Sequence, residues 1–434
     1  PASLSGVLRP ISSDNAGAFE GPIKEPGPKT FFPGNIEMKK TLAALAVLGA
    51  FAGSAMAADV TVYGIVDVGV KYVHSDTDVP GTDATDSLTM AAGNQSGNRF
   101  GLKGVEDLGN GVSVGFVLEN GFAIDDGTLG QSNRLFGREA NLFVRSAFGE
   151  LSFGRVGALD SANGSYGLLG YLSPFGASWA GAVEFSTFYV GGARMDNTVT
   201  YKSPNFAGFN AYAQYSFGMN TKDKFGTEAD HNDNTVAPVE GKSGDTRYAA
   251  LGATYVAGPF NLAASAALYN WSSTEYTDKP DNGYTLTAGG YYNCGFAKTY
   301  LSAQYFDNMY KASSNATDKV GFASVGLDNE SFKGWAAQAG FDMPLAGGTA
   351  MLAFGYADTE SANSSDHENN DNEFTRWGTS VGYTYSLSKR SNVYGVAGYY
   401  QDKKTVNKVE NKPETTTVYV GMRHSFYLKP SVQS

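Results

Sequence analysis

The chain has 434 residues, a formal net charge of −11 and one cysteine, and only 17% of its residues are charged. A charge this negative excludes electrostatic binding to nucleic acid, and 54 glycines with 26 tyrosines are untypical of disordered or coiled-coil proteins. Cys294 has no second cysteine with which to form a disulfide bond, and no Cys or His cluster predicts a metal, so no cofactor is expected.

The segment 38–57 has the organisation of a secretory signal peptide. Its sequence, MKKTLAALAVLGAFAGSAMA, places two lysines before an apolar run and ends on small residues. We therefore predict export, with cleavage between Ala57 and Ala58. A membrane anchor is the alternative, although about 17 apolar residues rich in Ala and Gly are short for a spanning helix. Residues 1–37 begin without Met and are rich in Pro and Gly, and we expect them to be a non-native upstream extension.

The exported part of the chain alternates apolar and polar side chains with the period of a β-strand. In VTVYGIVDVGVKY, Asp67 and Lys71 take the face opposite a row of valines. In NRFGLKG, Arg99 and Lys103 take the face opposite a phenylalanine and a leucine. Near the end of the chain, Arg423 lies opposite a row of Val and Met side chains. Each run therefore has one polar and one apolar face.

The connections between these runs fall into two classes. Seven are short and contain turn-forming Gly, Pro or Ser, at 107–111, 147–150, 203–208, 257–259, 293–295, 344–348 and 387–391. Eight are long and polar, near 75–96, 125–133, 158–193, 218–244, 272–282, 307–331, 359–373 and 402–414. Seven turns and eight loops separate sixteen strands. An even number, with both chain ends at the short-turn side, is typical of a closed antiparallel barrel without exposed edges.

The width of the barrel decides which face looks inward. Side chains cannot fill a barrel of about sixteen strands, so a polar face toward a water-filled lumen and an apolar face toward lipid is the stable arrangement. The sequence therefore predicts an all-β transmembrane barrel over residues 58–426. The polar side chains predicted to face its lumen include Asp67, Lys71, Arg99, Lys103 and Arg423.

Five segments closely resemble the general porins of Gram-negative outer membranes, especially the betaproteobacterial type. They are ADVTVYGIVDVGV, NRFGLKGVEDLGNG, FGREANLFVRSAFGELSFGR, RMDNTVTYKSPNFAGF and VGMRHSF, in the family's order. The resemblance implies a homotrimer of sixteen-stranded barrels in the outer membrane, with long extracellular loops, short periplasmic turns and a third loop, 158–193, folded into the lumen. Lipopolysaccharide, outer-membrane lipid and the outer-membrane assembly machinery are then expected partners.

Porins of this type narrow the channel between a ladder of wall arginines and acidic residues on the third loop. Carried over motif by motif, the wall residues are Arg99, Arg138 and Arg194. The loop acids carried over in the same way are Asp160 and Glu184.

The alternation of polar and apolar residues independently places Arg99 and Arg194 on the lumen face, but it does not place Arg138 there. It shares its predicted face with apolar residues further along the same run. Either a bulge interrupts that strand, or Arg134 or Arg145 takes part of the role.

These features predict passive diffusion of small hydrophilic solutes and ions, with a weak preference for anions. Fixed cations in a water-filled neck with low-dielectric walls raise the local concentration of anions. The arginines can also pair with lumen carboxylates and hold the loop in place. A substrate-specific channel, or an added adhesion or receptor role of the loops, is the alternative, and sugar-specific channels tend to have eighteen strands.

The sequence does not predict an enzyme. The pattern GxSxG occurs at 111–115 and 378–382, but neither match is followed by the helix that a nucleophile elbow requires, and no HExxH motif occurs. Three of the four histidines lie in or beside predicted loops, and the fourth lies near the chain end. Residues 427–434 follow Phe426, the aromatic residue expected to end the last strand, and are predicted to be a tail.

Overall fold

The computed structural model describes residues 60–176, 179, 185–192, 194–219, 246–271, 282–310, 331–362, 372–406 and 409–428. Over these ranges, eighteen strand segments form one antiparallel sheet. Their bounds are β1 (Thr61–Asp76), β2 (Thr85–Ala92), β3 (Arg99–Gly109), β4 (Val112–Gly121), β5 (Glu139–Ser146), β6 (Gly149–Gly157), β7 (Arg194–Lys202), β8 (Phe209–Ser216), β9 (Arg247–Ala257), β10 (Phe260–Asn270), β11 (Gly283–Asn293), β12 (Lys298–Tyr310), β13 (Ser331–Leu345), β14 (Gly348–Ser361), β15 (Glu373–Ser386), β16 (Ser391–Val406), β17 (Val409–Asn411) and β18 (Glu414–Leu428).

Short helical segments lie in the connections, namely α1 (Gly130–Asn133), a 3-10 turn (Leu169–Tyr171) and α2 (Phe185–Phe188). No helix in the described part of the chain is long and apolar enough to cross a membrane. The predicted extension 1–37, the signal peptide 38–57 and Glu184 lie outside the described residues.

The sheet closes on itself through its first and last strands. β1 pairs with β18 along its length, from Val62 with Leu428 to Asp76 with Glu414. β2 and β3 pair with successive parts of β1, and β17 and β18 pair with successive parts of β16. Each of these two pairs is one interrupted wall strand. The eighteen described segments therefore form the sixteen-stranded closed barrel that the sequence predicts.

The connections confirm the predicted alternation of short turns with long loops. Each of the seven predicted short turns joins two neighbouring strands within the described ranges. The first and last long loops were predicted too long. β2 occupies residues 85–92 inside the first, and β16 runs to Val406 inside the last. Strand β2 does alternate, with Leu88 and Met90 exposed on one face. It was not predicted, because the polar residues 93–98 separate it from β3 and make the whole region resemble a loop.

The last strand also extends further than predicted. β18 continues two residues beyond Phe426, because Tyr427 pairs with Tyr63 and Leu428 pairs with Val62. The barrel wall therefore ends at Leu428, and the remainder of the predicted tail lies outside the described residues.

Side chains alternate between the two faces of the wall. In β10, Leu262 and Leu268 are exposed, whereas Ser265 and Tyr269 are buried. Large apolar side chains are exposed on the outside of many strands, as on the lipid-facing wall of a membrane barrel. The polar face therefore looks inward, as predicted.

Candidate channel constriction

The third long loop lies inside the barrel. It leaves β6 at Gly157 and returns to β7 at Arg194, and its buried apolar side chains pack in one cluster with inner-face residues of the wall. Leu159, Leu169 and Phe188 of this loop are fully buried. Because a loop with so much buried apolar surface cannot lie free in water, the wall determines its position. This arrangement confirms the predicted infolded loop.

Asp160 anchors the beginning of the loop. Its carboxylate accepts hydrogen bonds from the hydroxyls of Tyr248 (2.8 Å), Tyr269 (2.5 Å) and Thr285 (2.9 Å), on three consecutive strands. The side chain is fully buried, and this burial raises the pKa of the Asp160 carboxyl above its ordinary value. The prediction that Asp160 faces the wall arginines was wrong, because its contacts direct it into the opposite wall.

The end of the loop has its own anchors. The Gln304 side chain accepts a hydrogen bond from the Val190 amide (2.7 Å) and donates one to the Val190 carbonyl (2.8 Å). Arg376 of β15 donates to the carbonyl of Thr187 (2.9 Å). Asp402 holds the Arg376 guanidinium through two hydrogen bonds of 2.6 and 2.8 Å. The loop is therefore fastened to the side of the barrel formed by β9–β16.

Charged side chains gather on the other side of the barrel, on β3–β7. Glu119 of β4 accepts a hydrogen bond from Arg138 Nε (2.6 Å), and Arg99 Nη1 lies 3.9 Å from the same carboxylate oxygen. Tyr63 donates to the other Glu119 oxygen at 2.9 Å. Arg138 reaches this position because β5 begins only at Glu139, so strand alternation does not apply to it. Arg99 and Arg138 thus share one carboxylate.

A second cluster on this wall contains Arg134, the predicted alternative to Arg138, together with Arg155 and Asp196, which were not predicted as site residues. Asp196 of β7 accepts hydrogen bonds from Arg155 (2.7 Å) and from both terminal nitrogens of Arg134 (3.2 and 3.0 Å). Arg155 lies where the β6–β7 register shifts, and Arg134 follows α1. Because neither arginine belongs to a regular run, alternation could not place them. Arg145, the other alternative for Arg138, instead pairs with Glu150 near the short-turn end.

Arg194 ties the wall to the loop. It is 9% exposed, and its Nη2 donates to Asn163 Oδ1 of the loop at 2.9 Å. Glu139 of the same wall accepts hydrogen bonds from Asn141 (2.7 Å) and from the loop amide of Ser165 (3.4 Å).

The charges on this wall do not cancel. Together the two clusters and the Arg194 contact bring five arginines, namely Arg99, Arg134, Arg138, Arg155 and Arg194, near three acids, namely Glu119, Glu139 and Asp196. Among the described residues, these eight side chains therefore have a formal excess of two positive charges.

The comparisons with known proteins agree with this architecture. A family model described as Gram-negative porin matches residues 43–405, which is most of the chain. The chain is a Gram-negative porin. It therefore resides in the outer membrane, as predicted, and forms a channel for passive diffusion of small solutes.

Two porins of known sequence are similar over nearly their whole lengths. An outer membrane porin protein of Bordetella pertussis is 33% identical over 412 residues, which is 90% of this chain and 100% of the relative. Outer membrane porin protein 32 of Delftia acidovorans is 30% identical over 413 residues, with the same coverage. An anion-selective porin from Comamonas acidovorans is a structural neighbour with a TM-score of 0.57 and 25% identity, covering 85% of this chain and 100% of its own. These relatives are channel proteins.

The other residues predicted to face the lumen of the porin have different environments. Asp67 is fully buried, because the 93–98 interruption covers it and the amides of Gln95 and Ser96 donate to its carboxylate. Lys71 and Arg423 are partly exposed, and Arg423 pairs in register with Asp67. Lys103 is exposed, with its Nζ 5.1 Å from the centroid of a tyrosine ring.

Glycines on the inner wall leave room for the loop of the porin. A Cβ at Gly355 would lie 2.6 Å from Cε2 of Phe188, so we expect Gly355→Ala to push the buried ring away. The expected cost is about 1–3 kcal/mol of loop docking, seen as a larger and noisier single-channel current. Gly395→Ala is the matched control, because its Cβ would meet only one side-chain atom, at 3.6 Å. Identical currents from both variants would contradict this packing.

Loop docking in the porin should depend on pH through Asp160. Its raised pKa means that the docked loop binds the carboxyl proton more tightly than a free loop does. The stabilisation of the docked loop by this proton is therefore complete below the ordinary aspartate pKa of about 3.9. It is lost as the pH rises through the raised pKa of Asp160 in the docked loop. We expect the conductance of the native porin to increase with pH relative to Asp160→Asn. Parallel pH profiles for the two proteins would contradict this role.

Proposed function

We propose that the porin passes small hydrophilic solutes and ions with a weak preference for anions, through a neck between the β3–β7 wall and the third loop. The observation that carries this proposal is the unequal charge of the two sides. One side has two formal positive charges in excess, whereas Asp160 is the one acidic residue in the described part of the loop and is fully buried. A wall with a formal excess of positive charge in a narrow, water-filled neck attracts anions.

The similarity to an anion-selective porin from Comamonas acidovorans supports this preference. In the proposed neck, Arg99 and Arg138 act mainly on passing ions, since they share one carboxylate. Arg194 acts mainly as a fastening for the loop, because it donates to Asn163. The two roles of the arginines therefore coexist.

The proposed assembly is an exported homotrimer of independent channels, with no cofactor and no catalytic turnover. Outer-membrane lipid and lipopolysaccharide surround the trimer, and the outer-membrane assembly machinery inserts it. Sixteen described wall strands, rather than eighteen, favour a general channel over a sugar-specific one.

Swelling of liposomes that contain the purified porin tests the general-diffusion function. The rate should fall smoothly with the size of neutral sugars and should show no saturation, because size alone limits their passage. Planar bilayers should show conductance steps in groups of three. Liposomes without the porin are the control. Saturable uptake of one sugar, or no swelling at all, would contradict the proposal.

A further inference from the structure

A cavity of about 500 Å³ opens on the inner wall, between the Arg99–Glu119–Arg138 contacts and the short-turn end. Its volume lies in the range of small-molecule sites, about 300–1,000 Å³. It is bounded by β1, β3–β6 and the loop residues Ser165 and Tyr166. Its polar and apolar lining includes Thr61, Lys103, Val117, Asn141, Phe143 and Tyr166.

Strand register brings two polar side chains of this cavity into one row. Lys103 of β3 pairs with Val117 of β4, and Val117 pairs with Asn141 of β5. Paired residues share one face of a sheet, and neighbouring strands lie about 4.8 Å apart, so about 10 Å separates the backbones of Lys103 and Asn141. A small solute that bridges these two side chains would lie above Val117.

Among the residues that the structure describes, Lys103 is a cation without a carboxylate partner. Within the described residues it forms no ion pair, and its Nζ lies 5.1 Å from the centroid of the Tyr63 ring. The other cation of the cavity, Arg145, is held by Glu150 and lies 4.3 Å from the centroid of the Phe143 ring. Lys103 is therefore the group available to an incoming anion.

Asn141 offers an acceptor that lacks a donor. The side chain is 4% exposed, and its Nδ2 donates to Glu139 at 2.7 Å, which fixes the orientation of the amide. Within the described part of the chain, Asn141 Oδ1 is buried without a hydrogen-bond partner. A buried acceptor of this kind is satisfied by a ligand hydroxyl or ammonium group. Val117 and Phe143 add apolar surface beside it.

We propose that this cavity binds small carboxylic acids that have a hydroxyl or ammonium group next to the carboxylate and a compact apolar body. The carboxylate pairs with Lys103, the neighbouring donor binds Asn141 Oδ1, and the apolar body packs against Val117 and Phe143. The site goes beyond general diffusion, because it gives the channel a saturable preference for one chemical class of solute.

Three acids with one skeleton test this site in planar bilayers of the full trimer. The acids 3-phenyllactate, phenylalanine and 3-phenylpropionate differ only in the group on carbon 2, which is hydroxyl, ammonium or hydrogen. We expect 3-phenyllactate or phenylalanine to block the current at about tenfold lower concentration than 3-phenylpropionate. Whichever of the two blocks better identifies the donor. Equal block by all three acids would overturn the proposal.

Two variants separate the proposed contacts. Lys103→Gln should weaken block by every acid about tenfold, whereas Asn141→Ala should remove only the advantage of the carbon-2 donor. Lys202→Gln is the matched control, since Lys202 also lies beside a tyrosine ring, 5.8 Å from its centroid, but outside the cavity. If Asn141→Ala forms no trimers, the exposed Lys103 decides the question. Unchanged block in Lys103→Gln overturns the site, and normal ion conductance there shows that the channel itself is intact.

Discussion

Replacing Arg99, Arg138 and Arg194 together by serine is expected to turn the porin from weak anion preference to cation preference. The substitution changes the formal excess of two positive charges on the β3–β7 wall to a deficit of one. A unit charge a few ångströms from a passing ion contributes about 1 kcal/mol even in water, so the permeability ratio should change by at least about fivefold. The reversal potential of planar bilayers in a salt gradient measures this change.

The control removes the same charge from elsewhere in the chain. Lys389, Arg390 and Lys412 are exposed outside the two arginine clusters, and their joint replacement by serine should leave selectivity unchanged. Because Glu119 loses its pairing with Arg138, correct folding and assembly of the first variant must be verified before recording. Equal shifts in the two variants would show that net charge, rather than the wall arginines, sets selectivity.

Asp160→Ala is expected to release the third loop and raise the single-channel conductance. It leaves the hydroxyls of Tyr248, Tyr269 and Thr285 without their shared acceptor in a buried site. Each unsatisfied hydroxyl costs about 1 kcal/mol or more, so docking should weaken by about 3 kcal/mol, a factor of about 100 in the docking equilibrium. The barrel wall itself does not depend on this contact.

The matched control for this loop release is Asp126→Ala. Asp126 is exposed and, among the described residues, accepts hydrogen bonds from Thr128 alone, so its replacement should leave the conductance unchanged. Digestion by an added protease should cleave the third loop faster in Asp160→Ala than in the control. Native conductance in Asp160→Ala would contradict the assignment of Asp160 as the anchor.

Alternation and turn residues predicted the barrel because successive side chains of a regular strand point to opposite faces of the sheet. They placed every short turn and distinguished the polar inner face of the wall from its apolar outer face. They failed at β2, where the polar 93–98 interruption covers Asp67 and divides one wall strand into two segments. Local pattern cannot reveal such an interruption, since its hydrogen bonds join residues far apart in the chain.

The candidate site was less predictable than the wall. Arg134 and Arg155 meet at Asp196 through a helical turn and a shift of register, neither of which has a periodic signal. Asp160 was assigned to the wrong side because a loop acid has no strand face. Only the three hydroxyl donors on other strands determine its direction. Of the two predicted loop acids, Asp160 is an anchor and Glu184 remains a prediction outside the described residues.

The reversal potential of the native porin in a KCl gradient tests the central claim most directly. Potassium and chloride ions have nearly equal mobilities in water, so a neutral pore would give a potential close to zero. A wall with two positive charges in excess predicts a potential of the sign that indicates chloride preference, which high salt reduces by screening. A potential of the opposite sign, or none, would contradict the proposed neck.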